Sequence, residues 1–253
     1  MAGCGSESKE STENSKAVSN EPLTESEFKK MLSDPMKYEG AKVEFFGTVF
    51  VEPEKDEDGT YLQIFDKNDN NIIVAIEDPD LEVELDDIVK VKGTVVDEFK
   101  GENAFGGTIT APSIKAESVE VTDYATAFAP AIKTIEVNQE QTQHGYVFDL
   151  AKVEIAEDET RAYIKITNNS KEEISFYSFN SKITAGTKQL EEDDDYNYPE
   201  IPSEILPGVS VEGIVVFPTI KDEQGTAKFY FEGSSENYDI DIEPFIFDVN
   251  LEG

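Results

Sequence analysis

The sequence predicts a mainly β chain in two modules: a five-stranded barrel carrying one N-terminal helix, followed by a β-sandwich. Three observations lead there. From Ala41 onward the hydrophobic period is two, in runs of Val, Ile, Phe, Tyr and Thr broken by Gly, Asn and Asp turns every 8 to 12 residues or so. Convincing helical periodicity occurs once, ahead of those runs. The 253 residues suffice for two cores at the usual size of roughly 100 to 200 residues per domain.

Ala2-Gly3-Cys4 has the form of the end of a lipoprotein signal, small residues before a Cys that is lipid-modified after cleavage. Met1 stands where the apolar signal region would precede them, so the expectation is a chain lacking that leader. Lipidation is expected at Cys4, with the membrane as a partner through the lipid. Cys4 is also the only cysteine, which excludes an intrachain disulfide and a Cys-based zinc site. Residues 1–21 are then a flexible tether. Ser6, Ser8, Ser11, Ser15 and Ser19 alternate with Glu, Lys and Asn, and almost no apolar side chain is available to offset ordering entropy. No apolar stretch approaches the 18 residues a spanning helix needs.

Residues 22–123 form the first module. A helix is expected over Pro22–Tyr38, capped by Thr24 with Glu27 three residues on, burying Phe28, Met31 and Leu32 and stopped at Pro35. Five strands follow, near 41–51, 60–66, 71–77, 88–98 and 108–121. Two of them share a device: Val43 to Val49 and Val89 to Val95 are alternating runs interrupted by Gly47 and Gly93. A mid-strand glycine marks a bend or bulge, which long strands need to serve both sides of a small barrel. Five strands suit an OB-like barrel. Tyr38-Glu39-Gly40-Ala41-Lys42-Val43 and Leu85-Asp86-Asp87-Ile88-Val89-Lys90-Val91-Lys92-Gly93 resemble the first and fourth strands of bacterial OB-fold proteins of the nucleic-acid-binding superfamily. That resemblance implies the fold. The activity it would imply is opposed by charge, because residues 22–123 hold 25 acidic residues against 10 lysines, a net of −15.

Residues 124–144, weakly periodic and Gln-rich with Pro130, are expected to be a linker. Residues 145–253 form the second module. Its strands are Tyr146–Leu150, Ala162–Thr167, Ser175–Tyr177, Val209–Phe217, Thr226–Glu232 and Phe245–Val249, with Asn168 to Lys171 as a turn. Six or seven antiparallel strands suggest an immunoglobulin-like sandwich. The run Val153-Glu154-Ile155-Ala156-Glu157-Asp158-Glu159-Thr160-Arg161-Ala162-Tyr163-Ile164-Lys165-Ile166-Thr167-Asn168-Asn169-Ser170, then Lys188-Gln189-Leu190, Leu206-Pro207-Gly208 and Val211 to Phe217, resembles a telokin-like, immunoglobulin-type domain. Such domains occur in exported Gram-positive and mycobacterial proteins, many of them lipoproteins without a known activity. The resemblance implies export and binding and brings no catalytic residues; together with lipid at Cys4, the expected location is extracytoplasmic, on the outer face of the cell membrane.

Over the whole chain, 55 Asp plus Glu against 21 Lys plus Arg give a net charge of −34, so nucleic acid is not expected as a partner. The only histidine, His144, has no Asp or Ser at motif spacing and falls in the expected linker; no enzyme motif is recognisable. Calcium is the one cofactor that the acidic clusters suggest. Asp66-Lys67-Asn68-Asp69-Asn70-Asn71 with Glu77 places oxygen ligands like a calcium loop, Asp66, Asn68, Asn70 and Glu77 being the candidates. Position six is Asn71 where such a loop wants Gly, and the flanks alternate as strands, so a hairpin turn is the simpler reading. Asp193, Asp194 and Asp195 in an acidic loop, and Asp239, Asp241 and Glu243 along one face of an extended segment, are further metal candidates. Of the aromatic groups Phe176, Tyr177, Phe179 and Phe229, Tyr230, Phe231, one or two members each are expected outside the core. The expected function is a non-catalytic binding or protein-interaction module for an unknown extracellular protein or small ligand, the alternative being a calcium-dependent structural or adhesive protein of the cell envelope.

Overall fold

The computed structural model describes residues 20–102, 108–193 and 197–252. The chain is mainly β and divides into two compact units between Thr122 and Asp123.

In the first unit, helix α1 (Glu25–Ser33) begins with a reciprocal capping box: Thr24 Oγ1 accepts from the Glu27 amide, and the Glu27 carboxylate accepts from the Thr24 amide. Pro35 ends it, and Pro35–Tyr38 continue as a 3-10 turn, so the α-helix is shorter at both ends than expected. Met31 is fully buried, and the Phe28 ring sits 5.3 Å from Phe45, which fastens the helix to the sheet.

The strands are β1 (Lys42–Val49), β2 (Glu54–Lys55), β3 (Thr60–Phe65), β4 (Asn71–Ile76), β5 (Ile88–Glu102) and β6 (Thr108–Thr122). They pair in the order β1-β5-β6-β4-β3-β2, and a further β1–β3 pairing, Thr48 opposite Phe65, closes five of them on themselves. The β4–β6 pairing is parallel and the others antiparallel. Alternation sends Val43, Phe45, Val49, Leu62, Ile64, Val74, Val89 and Val91 inward. The register of β5 against β6 shifts at Gly93, as a mid-strand glycine suggests. A Cβ there would lie 2.5 Å from the Lys115 carbonyl oxygen and 2.9 Å from Ala116 Cα, both backbone. Gly93→Ala is therefore expected to cost about 1–3 kcal/mol through overpacking. Urea unfolding followed by circular dichroism should show an earlier transition for the variant.

In the second unit, a short helix α2 (Tyr124–Ala127) precedes β7 (Lys133–Gln143), β8 (Tyr146–Ile155), β9 (Glu159–Asn168), β10 (Ile174–Ala185), β11 (Lys188–Glu191), β12 (Glu204–Ile205), β13 (Ser210–Pro218), β14 (Thr226–Ser235) and β15 (Phe245–Asn250). One sheet runs β13-β9-β8-β7; the other runs β11-β10-β14-β15, with β12 added to β10. Their inner faces meet over Phe148, Phe176, Phe217, Phe229, Phe231, Phe245 and Phe247.

The expected linker 124–144 is corrected here. Lys133–Gln143 is a full strand, pairing with β8 from Lys133↔Ile155 to Gln143↔Tyr146. It reads as a linker because it is an edge strand with one buried side chain, Ile135, and hence little apolar alternation. His144 occupies the β7–β8 turn with Gly145, both at positive φ (50° and 89°), as a two-residue primed hairpin turn requires.

Candidate functional site

Among the sequence-predicted metal candidates, the turn at Asp66 is resolved as a hairpin joining β3 to β4. Asp66 Oδ1 accepts from the amides of Asn68 (2.8 Å) and Asn70 (2.9 Å), and both its oxygens accept from the Asn70 side chain at 3.0 Å. The carboxylate thus organises the turn, and Asp69 takes the left-handed conformation, φ 59°. Glu77 is not brought to it: β4 is extended, so Glu77 lies roughly 20 Å along the strand from the turn. Its carboxylate pairs instead with Lys115 at 2.6 Å, whose hydrogen bond and charge hold it below the usual carboxylate range. A calcium loop curls its last ligand back to the first; a strand cannot.

Asp193 is exposed and its amide donates to the Val216 carbonyl; Asp194 and Asp195 lie outside the described residues, as does Cys4. Asp239, Asp241 and Glu243 are exposed while Ile240 and Ile242 are half-buried; Asp239 lies in a turn closed by the Ile240 amide on the Asn237 carbonyl, and the segment joins no sheet ladder. Among the described residues no three His, Cys, Asp or Glu side chains are grouped closely enough to hold a metal ion. No helix among them is long and apolar enough to cross a membrane.

The aromatic groups divide as alternation demands. Phe176, Phe229 and Phe231 are buried, Tyr177 and Tyr230 are half-buried, and Phe179 is 71% exposed at a bulge in β10.

A stronger surface feature was missed by sequence reasoning. On the outer face of the first unit's sheet, β1 contributes Phe46 and Thr48, the chain continues to Phe50, and β3 contributes Tyr61, Gln63 and Phe65. The register sets Thr48 opposite Phe65, with Phe46 one diagonal step away. The Phe50 amide donates to the Gln63 carbonyl at 3.1 Å, and its ring stacks on Phe65 at 3.6 Å between centroids. Tyr61, 38% exposed, extends the stripe and donates its hydroxyl to Asp56. At the other end Lys90 lies 5.5 Å from the Phe46 ring centroid and 2.6 Å from Glu44, whose carboxyl it lowers. A stripe of half-exposed rings bordered by fixed charges can stack a flat or ring-shaped ligand. Its signal in the sequence is the i, i+2 spacing Phe46-Thr48-Phe50 and Tyr61-Gln63-Phe65, opposite in phase to the core positions. What joins the two halves is the β1–β3 closure.

The second unit holds a charged cluster on the outer face of its four-stranded sheet. Arg161 of β9 is 1% exposed. Its guanidinium donates to Glu154 Oε2 (2.9 and 3.2 Å), to the Ala129 carbonyl (2.7 Å), to the Tyr198 hydroxyl (3.1 Å) and to Glu159. Tyr163 donates to Glu154 at 2.7 Å, Lys152 also reaches Glu154, and Tyr198 donates to Glu159. Burial pushes the Glu154 carboxyl up, but hydrogen bonds from Lys152, Tyr163 and Arg161 together outweigh it, leaving the group below the usual range. Burial, reinforced by the bond to Glu154, pushes the Tyr163 hydroxyl up to about 12, and burial raises Tyr198 further. Arg161, Lys152, Tyr163 and Tyr198 each donate to a protein acceptor, and what the cluster ties down is the segment before β7, at Ala129, and the loop carrying Tyr198. Its chemistry is that of a staple.

No family model and no curated protein matches the chain. Among solved structures it is similar to a functionally unknown protein from Listeria monocytogenes EGD-e, at 9% identity and a TM-score of 0.36, over 42% of this chain and 86% of that one.

Proposed function

We propose that the chain is an extracytoplasmic lipoprotein, anchored to the outer face of a Gram-positive cell membrane through lipid at Cys4, whose modules bind a ligand or protein partner without catalysis. In this reading the first unit is an OB-like barrel and the second an immunoglobulin-like, telokin-like sandwich. The strand order β1-β3-β4-β6-β5 returning to β1, with β4 and β6 parallel, supports the first assignment. Two antiparallel sheets packed over one aromatic core support the second. The serine-rich residues after Cys4 would hold the modules clear of a bilayer.

The observation that carries the binding function is the aromatic stripe Phe46–Phe50–Phe65–Tyr61, half-exposed rings that a monomeric barrel has no folding reason to collect on its solvent face. With a net charge of −34 the ligand is not a nucleic acid. Ring stacking and bordering carboxylates suit a neutral or cationic ring-bearing ligand, of which envelope glycans are an accessible example.

Two measurements test this. The chain is expressed behind a lipoprotein leader in a Gram-positive host beside Cys4→Ala. A diacylglyceryl mass on Cys4, and membrane retention lost in the variant, are expected; an unmodified protein in the soluble fraction removes the anchor. Separately, co-sedimentation of the full chain with purified cell-wall sacculi should fall about tenfold or more in the double variant Phe46→Ser, Tyr61→Ser, with unchanged thermal unfolding. Equal retention of variant and parent would remove the stripe as the binding surface.

A further inference from the structure

The outermost strands of a β-sandwich each leave alternate backbone N–H and C=O groups without a strand partner. In the second unit β7 ends one sheet and β15 ends the other, and the two lie along the same side. The gap between them is closed by side chains. Gln141 Nε2 donates to the Ile246 carbonyl at 2.6 Å while its Oε1 accepts from the Ile246 amide at 3.3 Å. Gln143 repeats this with Glu243, at 2.8 Å and 3.0 Å, and Gln139 Nε2 donates to the Asp248 carbonyl at 3.3 Å.

A primary amide carries the same donor and acceptor as a peptide group, so Gln141 and Gln143 each stand in for one residue of a paired strand, while Gln139 supplies a donor alone. The spacing Gln139-Glu140-Gln141-Thr142-Gln143 puts all three amides on one face of β7, and they meet β15 in antiparallel order. Pro244, which has no N–H to satisfy, fills the step between Glu243 and Ile246.

We infer that this glutamine row is a guard that keeps the β15 edge from pairing with a second copy of the chain. An edge strand is self-complementary by a two-fold: two β15 strands paired antiparallel would join their sheets into one, with Phe245, Phe247 and Val249 continuing the apolar face across the junction. The glutamines occupy the Ile246 amide and carbonyl and the Asp248 carbonyl, groups such pairing would use, and the net charge of −34 adds repulsion between copies. A glutamine cover differs from an apolar one in that it can be removed without uncovering the core.

The test uses the full chain with Gln139, Gln141 and Gln143 all changed to serine, which keeps polarity and removes the reach. Light scattering at about 100 μM, a range in which small interfaces form, should show the molar mass rising from one chain toward two while the parent stays at one. The rise should be larger at high salt, where carboxylate repulsion is screened. Adding Ile246→Pro removes the edge N–H that faces away from β14 and should return the mass to one chain. A triple variant that stays monomeric at high salt overturns the inference, and so does association that Ile246→Pro leaves intact. Should the triple variant fail to fold, Gln141→Ser alone is read by hydrogen exchange. The Ile246 amide should then exchange about tenfold faster or more, while Phe247, pointing at β14, is unchanged; no acceleration overturns the guard.

Discussion

Phe148→Ala is expected to cost the second unit about 3–5 kcal/mol. The ring is fully buried on β8 and is the point where one sheet meets the other. It lies 4.8 Å from Phe231, 5.2 Å from Phe245, 5.7 Å from Phe247 and 5.8 Å from Phe176, all four on the facing sheet. Removing it empties the middle of an aromatic cluster held from both sides, so the cavity cannot readily collapse. Phe148→Leu keeps most of the volume and should cost about 1.5 kcal/mol or less. Urea unfolding followed by circular dichroism reads both; an alanine variant within about 1 kcal/mol of the parent would mean that the sheets are held by their rims.

Arg161→Met is expected to cost about 3–5 kcal/mol at neutral pH for a different reason. The methionine fills similar space, so the loss is electrostatic: Glu154 and Glu159, 12% and 14% exposed, keep their charges after their principal partner has gone. The pH dependence separates this from a packing defect. In the parent, Glu154 titrates below its unfolded value, so it contributes stability above that value that is lost as pH falls through the folded one. Without Arg161 burial weighs more heavily and the carboxyl moves up, so the variant gains stability on protonation. The gap between variant and parent should narrow as the solution is acidified below about pH 5. Adding Glu154→Gln and Glu159→Gln to Arg161→Met should recover more than half of the loss at neutral pH. A pH-independent gap would assign Arg161 a packing role only. Arg161→Lys should not rescue, because one ammonium cannot reach two carboxylates, a carbonyl and a hydroxyl together.

The elements that local chemistry dictates were legible. Thr24 and Glu27 mark a helix start because their side chains cap groups within one turn, and Asp66 to Asn70 mark a hairpin because one carboxylate organises its neighbours' amides. Gly93 marks a bulge because no Cβ fits there. The parts that were misread depend on what lies across the fold. Lys133–Gln143 has too few apolar residues to announce a strand, because its outward side chains meet water or the backbone of β15 rather than a second core. Arg161 is an ordinary charge in an acidic stretch until β9 and the loop carrying Tyr198 bury it. The aromatic stripe was overlooked because Phe46 and Phe50 are separated in sequence from Tyr61 and Phe65, and only the β1–β3 pairing sets them side by side.

From the sequence alone come the β class, the two-part organisation, the capped helix α1, most strands of both units and the strong acidity; all follow from composition, period and turns, interactions a few residues long. Only the tertiary structure decided that β7 belongs to the sandwich, that Gln143 meets Glu243 a hundred residues away, and that Glu77 stands apart from Asp66. The physical reason is register. Alternation determines which face a side chain takes, but which strand lies opposite is decided by closing the sheets over their buried cores, and every candidate surface of this protein is assembled at that step.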